Sequence, residues 1–322
     1  MEEKNKNRIK TFLKIIVSIS LISYVIYSAG PYKIWAEIKN TNLFYFFIVI
    51  LLTIIKVGVS AKKWQILLKA KGEVKDFLHV WKIYYVGTFF NLFLPTNVGG
   101  DIVKAHKMSK VSNKSIEAYS SVFMERFLGV IAIFGLAIVA STMYFSELPM
   151  DIILIIYVVF LPLIILSIIM IWKESVVNRF KSLINRMFKN FNPFSIREKM
   201  IKLYSSINLY TKKKKTLGYT LLISFLFHTM LILTNYILAL SIGIDVSLHY
   251  FFIFIPITAI LLFLPISIRG FGVREVLYAY FFTQVGVTTA QAVSLSFLVQ
   301  LLGIISSLIG GFVYLFSQTR KI

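Results

Sequence analysis

The chain has 322 residues, of which 57% are hydrophobic, and a mean hydropathy of +0.78, well above the roughly 45–50% apolar content of a soluble domain. Its 35 Lys and Arg against 14 Asp and Glu give a net charge of +21, and it has no cysteine. This composition excludes an ordinary soluble fold and calls for hydrocarbon as solvent, where each backbone amide is paired inside a helix; the missing thiols exclude disulfides, thiolate metal sites and cysteine nucleophiles.

The first residues, MEEKNKNRIK, lead into an apolar run at 11–28. No small-residue cleavage site follows it, so it is expected to stay as the first helix. Further runs near the roughly twenty residues that cross a bilayer fall at 42–60, 118–142, 151–172, 217–241 and 291–316. Two other apolar stretches, 78–103 and 251–286, are interrupted midway by Pro, Gly and charge, at Pro95 to Asp101 and at Pro265 to Glu275. The predicted fold class is all-α: a polytopic membrane protein with six full transmembrane helices and two inverted broken, re-entrant segments, forming a single domain over 1–322. Between the fourth and fifth spans lies a basic stretch at 173–216. There Val176, Phe180, Leu183 and Met187, and after Asn192-Pro193 also Ile196, Met200, Leu203, Ile207 and Tyr210, recur at helical spacing. Such stripes suit either amphipathic helices in the headgroup layer or a small hairpin packed on the protein itself.

Orientation follows from the basic residues. With the N-terminus inside and both broken segments returning to the side they entered, 29 of the 35 Lys and Arg fall in inner segments, and Lys33 and Lys39 are the ones in outer loops. Lys56 and Arg126 sit near inner ends of spans, where they can snorkel. Both termini are expected to be cytoplasmic, in a multi-pass protein of the cell membrane. The first broken segment then enters from the cytoplasm and the second from outside, which makes them inverted repeats of each other. Basic flanks of apolar spans are explained by topology and anionic lipid, so nucleic acid is not an expected partner.

The two breaks share a written motif. Leu92-Phe93-Leu94-Pro95 corresponds to Leu262-Phe263-Leu264-Pro265, and aligning the prolines also aligns Gly100 with Gly270 and Lys104 with Arg274. Proline removes a backbone donor and glycine tolerates unusual dihedrals, so Pro95, Gly99, Gly100, Pro265, Gly270 and Gly272 are the expected hinges. Irregular backbone at membrane depth survives where it is buried in protein or lines a polar cavity, and inverted broken helices point to a transporter's central site. Charge gathers at the same places. Asn97, Asp101, Lys104, Glu125, Arg126, Arg269, Arg274 and Glu275 are the candidate substrate-binding residues. Arginine binds phosphate bidentately and keeps its proton, while Lys104 and His106 would serve at the cytoplasmic mouth. The competing reading is structural ion pairing, Glu125 with Arg126 and Arg274 with Glu275. Two further features read as architecture: a polar stripe of His228 and Asn235, and a Gly303, Ser307, Gly311 face that admits a close helix. The histidines His79, His106, His228 and His249 lie too far apart for a short metal motif, no nucleotide-binding GxxxxGK[ST] occurs, and no metal or cofactor is expected.

The runs LFLPTNVGGDIVKAHKM, SVFMERFLG at 121–129 and LPISIRGFGVREVLYAYFF, followed by a Gly-rich last span, resemble the lysylphosphatidylglycerol synthase transmembrane region, also called the flippase-like family. The resemblance covers nearly the whole chain. It implies a helical bundle with re-entrant segments around a lipid-accessible cavity, translocation of lipid between leaflets, and Asp101, Glu125, Arg126, Arg269, Arg274 and Glu275 at positions matching the family's polar motifs. Related forms occur beside glycosyltransferases that use polyprenyl phosphates. Nothing in these 322 residues matches the synthase's soluble catalytic domain, so aminoacyl transfer is not expected from them. Ile268-Arg269 also departs from the smaller residues expected before Gly270.

Three functions fit these features. The first is a lipid flippase or transporter moving a phospholipid or polyprenyl-phosphate-linked lipid, with anionic lipids as partners and no enzymatic step. The second is an integral membrane transferase on a lipid carrier, using the same carboxylates as general base, although no nucleophile with its own base is legible. The third is a non-catalytic membrane partner of a glycosyltransferase or another lipid-modifying enzyme.

Overall fold

Each apolar run long enough to span forms a helix. The computed structural model describes residues 2–72, 75–94, 99–172, 206, 209–210, 212–262 and 266–318, and among them the regular structure is helical throughout. The helices are α1 (Glu2–Ala29), α2 (Pro31–Lys39), α3 (Leu43–Ala70), α4 (Phe77–Phe90), α5 (Gly99–Ser112), α6 (Ser115–Met143), α7 (Met150–Leu154), α8 (Leu161–Trp172), α9 (Lys214–Ser241), α10 (Leu248–Leu261), α11 (Val273–Thr283) and α12 (Thr289–Gln318). Of these, α3, α6, α9 and α12 are each long and apolar enough to cross a membrane alone. The expected span at 151–172 is helical from Met150 to Trp172, with a π turn at Ile155–Phe160 between α7 and α8. The stretch expected as an outer loop after the first span is instead a helix. The chain turns 81° between α1 and α2 at Gly30, whose φ of +83° suits glycine, and Pro31 opens α2 with the fixed φ that suits a first helical position. Tyr32 and Trp35 stay exposed on it, as aromatics do at a membrane interface.

The chain divides into two compact units, one of residues 1–57, 85–100 and 229–322 and the other of residues 58–84 and 101–228. In the first, α12 is the common support: α2, α1 and α11 all pack on it. Val25 and Ala29 of α1, Ile34 of α2 and Val293 of α12 form its buried apolar seam. A set of rings ties α10 to its neighbours, with Phe251 5.4 Å from Tyr236 of α9 and Phe254 5.3 Å from Phe281 of α11. Lipid tails are as apolar as these side chains, so such contacts stabilise through close packing and dispersion and not through release of water.

Both interruptions belong to this first unit, and both stop a helix instead of bending one. Helix α4 ends at Phe90 and helix resumes at Gly99; α10 ends at Leu261 and helix resumes at Val273. Pro95 and Pro265 themselves lie outside the described residues. The end of α4 lies flat against α12, where a Cβ on Gly310 would run into the Tyr85 carbonyl and one on Gly311 would stand 2.7 Å from the Phe89 ring. The close approach expected along Gly303, Ser307 and Gly311 is thus made by Gly310 and Gly311, while Gly303 meets nothing within 4 Å.

The second unit packs Trp64 and Leu68 of α3, Val80 of α4, Ala105 and Met108 of α5 and Ala118 of α6 into one core. Leu67, Met124, Leu128, Tyr210 and Leu217 form another. Most of the 173–216 stretch, with its two expected stripes, lies outside the described residues. Tyr210 does not, and it is buried on the protein, its hydroxyl donating to the Leu67 carbonyl at 3.0 Å. Lys71, just past α3, donates to Ser206 Oγ at 3.0 Å and stands 4.3 Å from the Tyr210 ring. Burial pushes its ammonium down to about 8.

Candidate functional site

In the second unit, sequence order and helical geometry place five charged side chains together. Asp101 lies in the first turn of α5, where a carboxylate complements the helix dipole, and Lys104 follows one turn later on the same face. Lys104 Nζ reaches Asp101 Oδ1 at 3.1 Å and Glu125 Oε2 of α6 at 2.7 Å. Arg126 donates from Nε to Asp101 Oδ2 at 2.6 Å. Lys63 of α3 approaches Glu125 Oε1 at 4.0 Å, and the same oxygen accepts from the Tyr84 hydroxyl at 3.0 Å. The faces of Tyr84 and Trp64 lie 4.2 and 5.1 Å from the Lys104 ammonium. Asp101, Lys104, Glu125 and Lys63 are all buried, whereas the Arg126 side chain keeps 43% of its surface exposed.

Charges adjacent in sequence do not pair. Successive residues on a helix point about 100° apart, so Glu125 turns to Lys104 and Lys63 while Arg126 turns to Asp101. Ion pairs do form in this unit, but the expected pair of Glu125 with Arg126 is not among them. Lys63 and Trp64 were missed because α3 was expected to end near residue 60, and Tyr84 of α4 because an uncharged ring in an apolar run carries no signal of its own. Helix α3 runs to Ala70, which puts Lys63 on a helix and not in a loop.

The first unit arranges its charges differently. Glu275 is wholly buried in the first turn of α11. Its Oε2 accepts from the Gly272 amide at 2.7 Å, and its Oε1 accepts from Ser296 Oγ at 3.1 Å and from Gln300 Nε2. Arg274 is not its partner. Among the described residues neither Arg269 nor Arg274 makes an ion pair with a carboxylate, both are half-buried, and each lies within range of the other's charge. The turn that carries Arg269 is tightly fixed. Its φ is +54°, a left-handed value uncommon for a non-glycine residue. The Ile268 amide donates to Ser18 Oγ of α1 at 3.0 Å, and a Cβ on Gly272 would stand 2.6 Å from Leu21 Cβ. Strain held by surrounding structure is a mark of functional sites.

Of the other expected site residues, Asn97 lies outside the described residues. His106 is exposed on α5 and does not join the cluster. Gly99 and Gly100 open α5 where there is no room for a side chain: a Cβ on Gly100 would run into the Gly87 carbonyl, and its amide donates to Asn91 Oδ1 at 2.6 Å. Gly270 and Gly272 hold φ near +82° and +83°. Asn235 makes the interhelical bond expected of it, accepting from the Tyr278 hydroxyl at 2.6 Å. His228 stands on another contact, near Gly129. Among the described residues no group of three or more acidic or histidine side chains is placed to hold a metal.

Long apolar helices, two stopped helices in one unit and charges buried within helical packing define a multi-pass α-helical membrane protein. The family model described as the lysylphosphatidylglycerol synthase TM region matches residues 11–311, and the chain belongs to that family. It is similar to a UPF0104 membrane protein of Pyrococcus horikoshii, at 25% identity over 97% of this chain and 98% of the relative. It is also similar to UPF0104 membrane proteins of Methanothermobacter thermautotrophicus, at 22% identity over 87% of each chain, and of Methanocaldococcus jannaschii, at 21% over 97% and 96%. No solved structure matches the chain.

Proposed function

We propose that the protein is a lipid flippase or transporter that moves a phospholipid or polyprenyl-phosphate-linked lipid between leaflets while the acyl chains stay in the bilayer. The observation that carries this reading is the pair Arg269 and Arg274. Two guanidinium groups beside a stopped helix, half-buried and without a carboxylate among the described residues, need an anion. Phosphate matches the planar fork of arginine. A headgroup crossing hydrocarbon unaided sheds its hydration, and fixed donors lower that barrier without a covalent step. With no nucleotide motif in the sequence, transport is downhill scrambling or is coupled to an ion or proton. The orientation that keeps basic segments inside places both termini in the cytoplasm.

Purified protein in liposomes carrying labelled phosphatidylglycerol tests this directly. Wild type is expected to equilibrate the label between leaflets, and the double variant Arg269→Ala, Arg274→Ala to slow it by about tenfold or more, the size of a lost charge-assisted contact, while staying folded. Label that stays in one leaflet, or a double variant as fast as wild type, breaks the reading. A change in the mass of the lipid would reveal a transferase instead. Orientation is checked separately with single cysteines at the exposed residues Tyr32 and Lys114: impermeant reagents should reach the first from outside and the second from the cytoplasm.

A further inference from the structure

Among the described residues the buried cluster of the second unit carries an odd charge: two carboxylates, Asp101 and Glu125, face three cations, Lys63, Lys104 and Arg126, leaving one positive charge over. Among the described residues the groups come from four helices: Lys63 from α3, Tyr84 from α4, Asp101 and Lys104 from α5, Glu125 and Arg126 from α6. On α9, His228 approaches where Gly129 leaves space, since a Cβ there would stand 3.4 Å from His228 Nε2 and 3.9 Å from Lys63 Nζ. An unmatched charge in such surroundings is costly, and a group able to shed it does so. Arg126 cannot lose its proton. Lys104 is held by both carboxylates at 2.7 and 3.1 Å and by two ring faces. Lys63 is the odd one: 4% exposed, it stands 4.0 Å from Glu125, beyond a hydrogen bond, and 5.3 Å from the Phe227 ring.

We propose that Lys63 is a proton-binding site linked to the substrate: its amine gives its proton to water while the cluster is empty, and takes one from water when a phosphate group settles on the exposed side of Arg126. No other bond changes. A phosphodiester brings one negative charge, so two carboxylates and the phosphate then balance three cations, and the neutral cluster is kept in both states. Binding and protonation thus favour each other reciprocally, which gives the transporter a route by which a proton gradient biases the movement of an anionic lipid. The inference rests on the reading above that the protein carries a phosphate-bearing lipid, gives that phosphate a further contact at Arg126, and places the proton on the buried Lys63.

Calorimetric titration of the detergent-solubilised full chain at pH 8, in two buffers with different heats of ionisation, tests it with dihexanoylphosphatidylglycerol and, separately, dimethyl phosphate, a phosphodiester of the same single charge, as probes. Wild type is expected to take up about one proton per phosphate group bound. Uptake with the lipid and not with dimethyl phosphate identifies a lipid headgroup as the source; uptake with both assigns the site to a phosphodiester as such. Lys63→Arg, whose charge is permanent, should keep binding and lose the uptake. Should that variant fail to fold, Lys63→Gln reads out the same loss. Binding by wild type without proton uptake, or uptake that survives in Lys63→Arg, overturns the inference and leaves the phosphate-binding reading standing. Failure of wild type to bind either probe overturns both.

Discussion

The two units treat the same problem, charge among apolar helices, in opposite ways. In the second, cations and carboxylates from three helices meet one another, and the Lys104 ammonium holds Asp101 to Glu125. In the first, Glu275 is satisfied by neutral donors and Arg269 and Arg274 have no carboxylate to meet among the described residues. A cation shared by two carboxylates ties the helices that carry them together, whereas cations left without an anion among the described residues, Arg269 and Arg274 in the first unit and the one surplus cation of the second, are poised for something that arrives. Charge inside a membrane protein therefore says little until its partners are known, and the partners differ between two stretches that look alike in sequence.

The largest blow to this contrast should come from Lys104→Met, which leaves Asp101 and Glu125 buried without their shared cation. Loss of one partner from a buried pair costs roughly 3–5 kcal/mol, so we expect little folded protein by size exclusion in detergent and a sharply lowered melting temperature. A Lys104→Met protein as stable as wild type would show that the cluster is dispensable and the contrast empty. Arg274→Ala should behave in the other way. With no carboxylate left behind, its melting temperature should move by less than about 1 kcal/mol in stability, while lipid equilibration slows. A large loss of folded protein in Arg274→Ala would mean that this arginine is structural after all. The smallest effect belongs to Tyr278→Phe, which removes the bond to Asn235. Interhelical hydrogen bonds in membranes average about 0.6 kcal/mol, so a small thermal shift with unchanged transport is expected, and a transport defect would extend the site toward α9.

Much of this was legible in advance. The runs at 42–60, 118–142, 217–241 and 291–316 became α3, α6, α9 and α12, and the two interrupted stretches became stopped helices. The π turn inside 151–172 and the interfacial helix α2 were not legible, since neither changes the apolar count that marks a span. At the site, Asp101, Lys104, Glu125 and Arg126 stand out in the sequence as charges among apolar segments and come together in the structure, but Glu125 and Arg126 pair with Lys104 and Asp101 and not with each other. Lys63 was overlooked because its basic neighbours made it resemble a loop.

Sequence alone determined that this chain lives in a bilayer, where its long apolar helices lie and where two others stop. Hydrocarbon accepts a segment on its composition and its ability to pair its own amides, and both are written locally. Which charges meet was decided by tertiary structure. Residues such as Glu125 and Arg126 leave their helix in different directions, and the side chains that come to face them, Lys104, Lys63 and Asp101, are brought there by the packing of other helices.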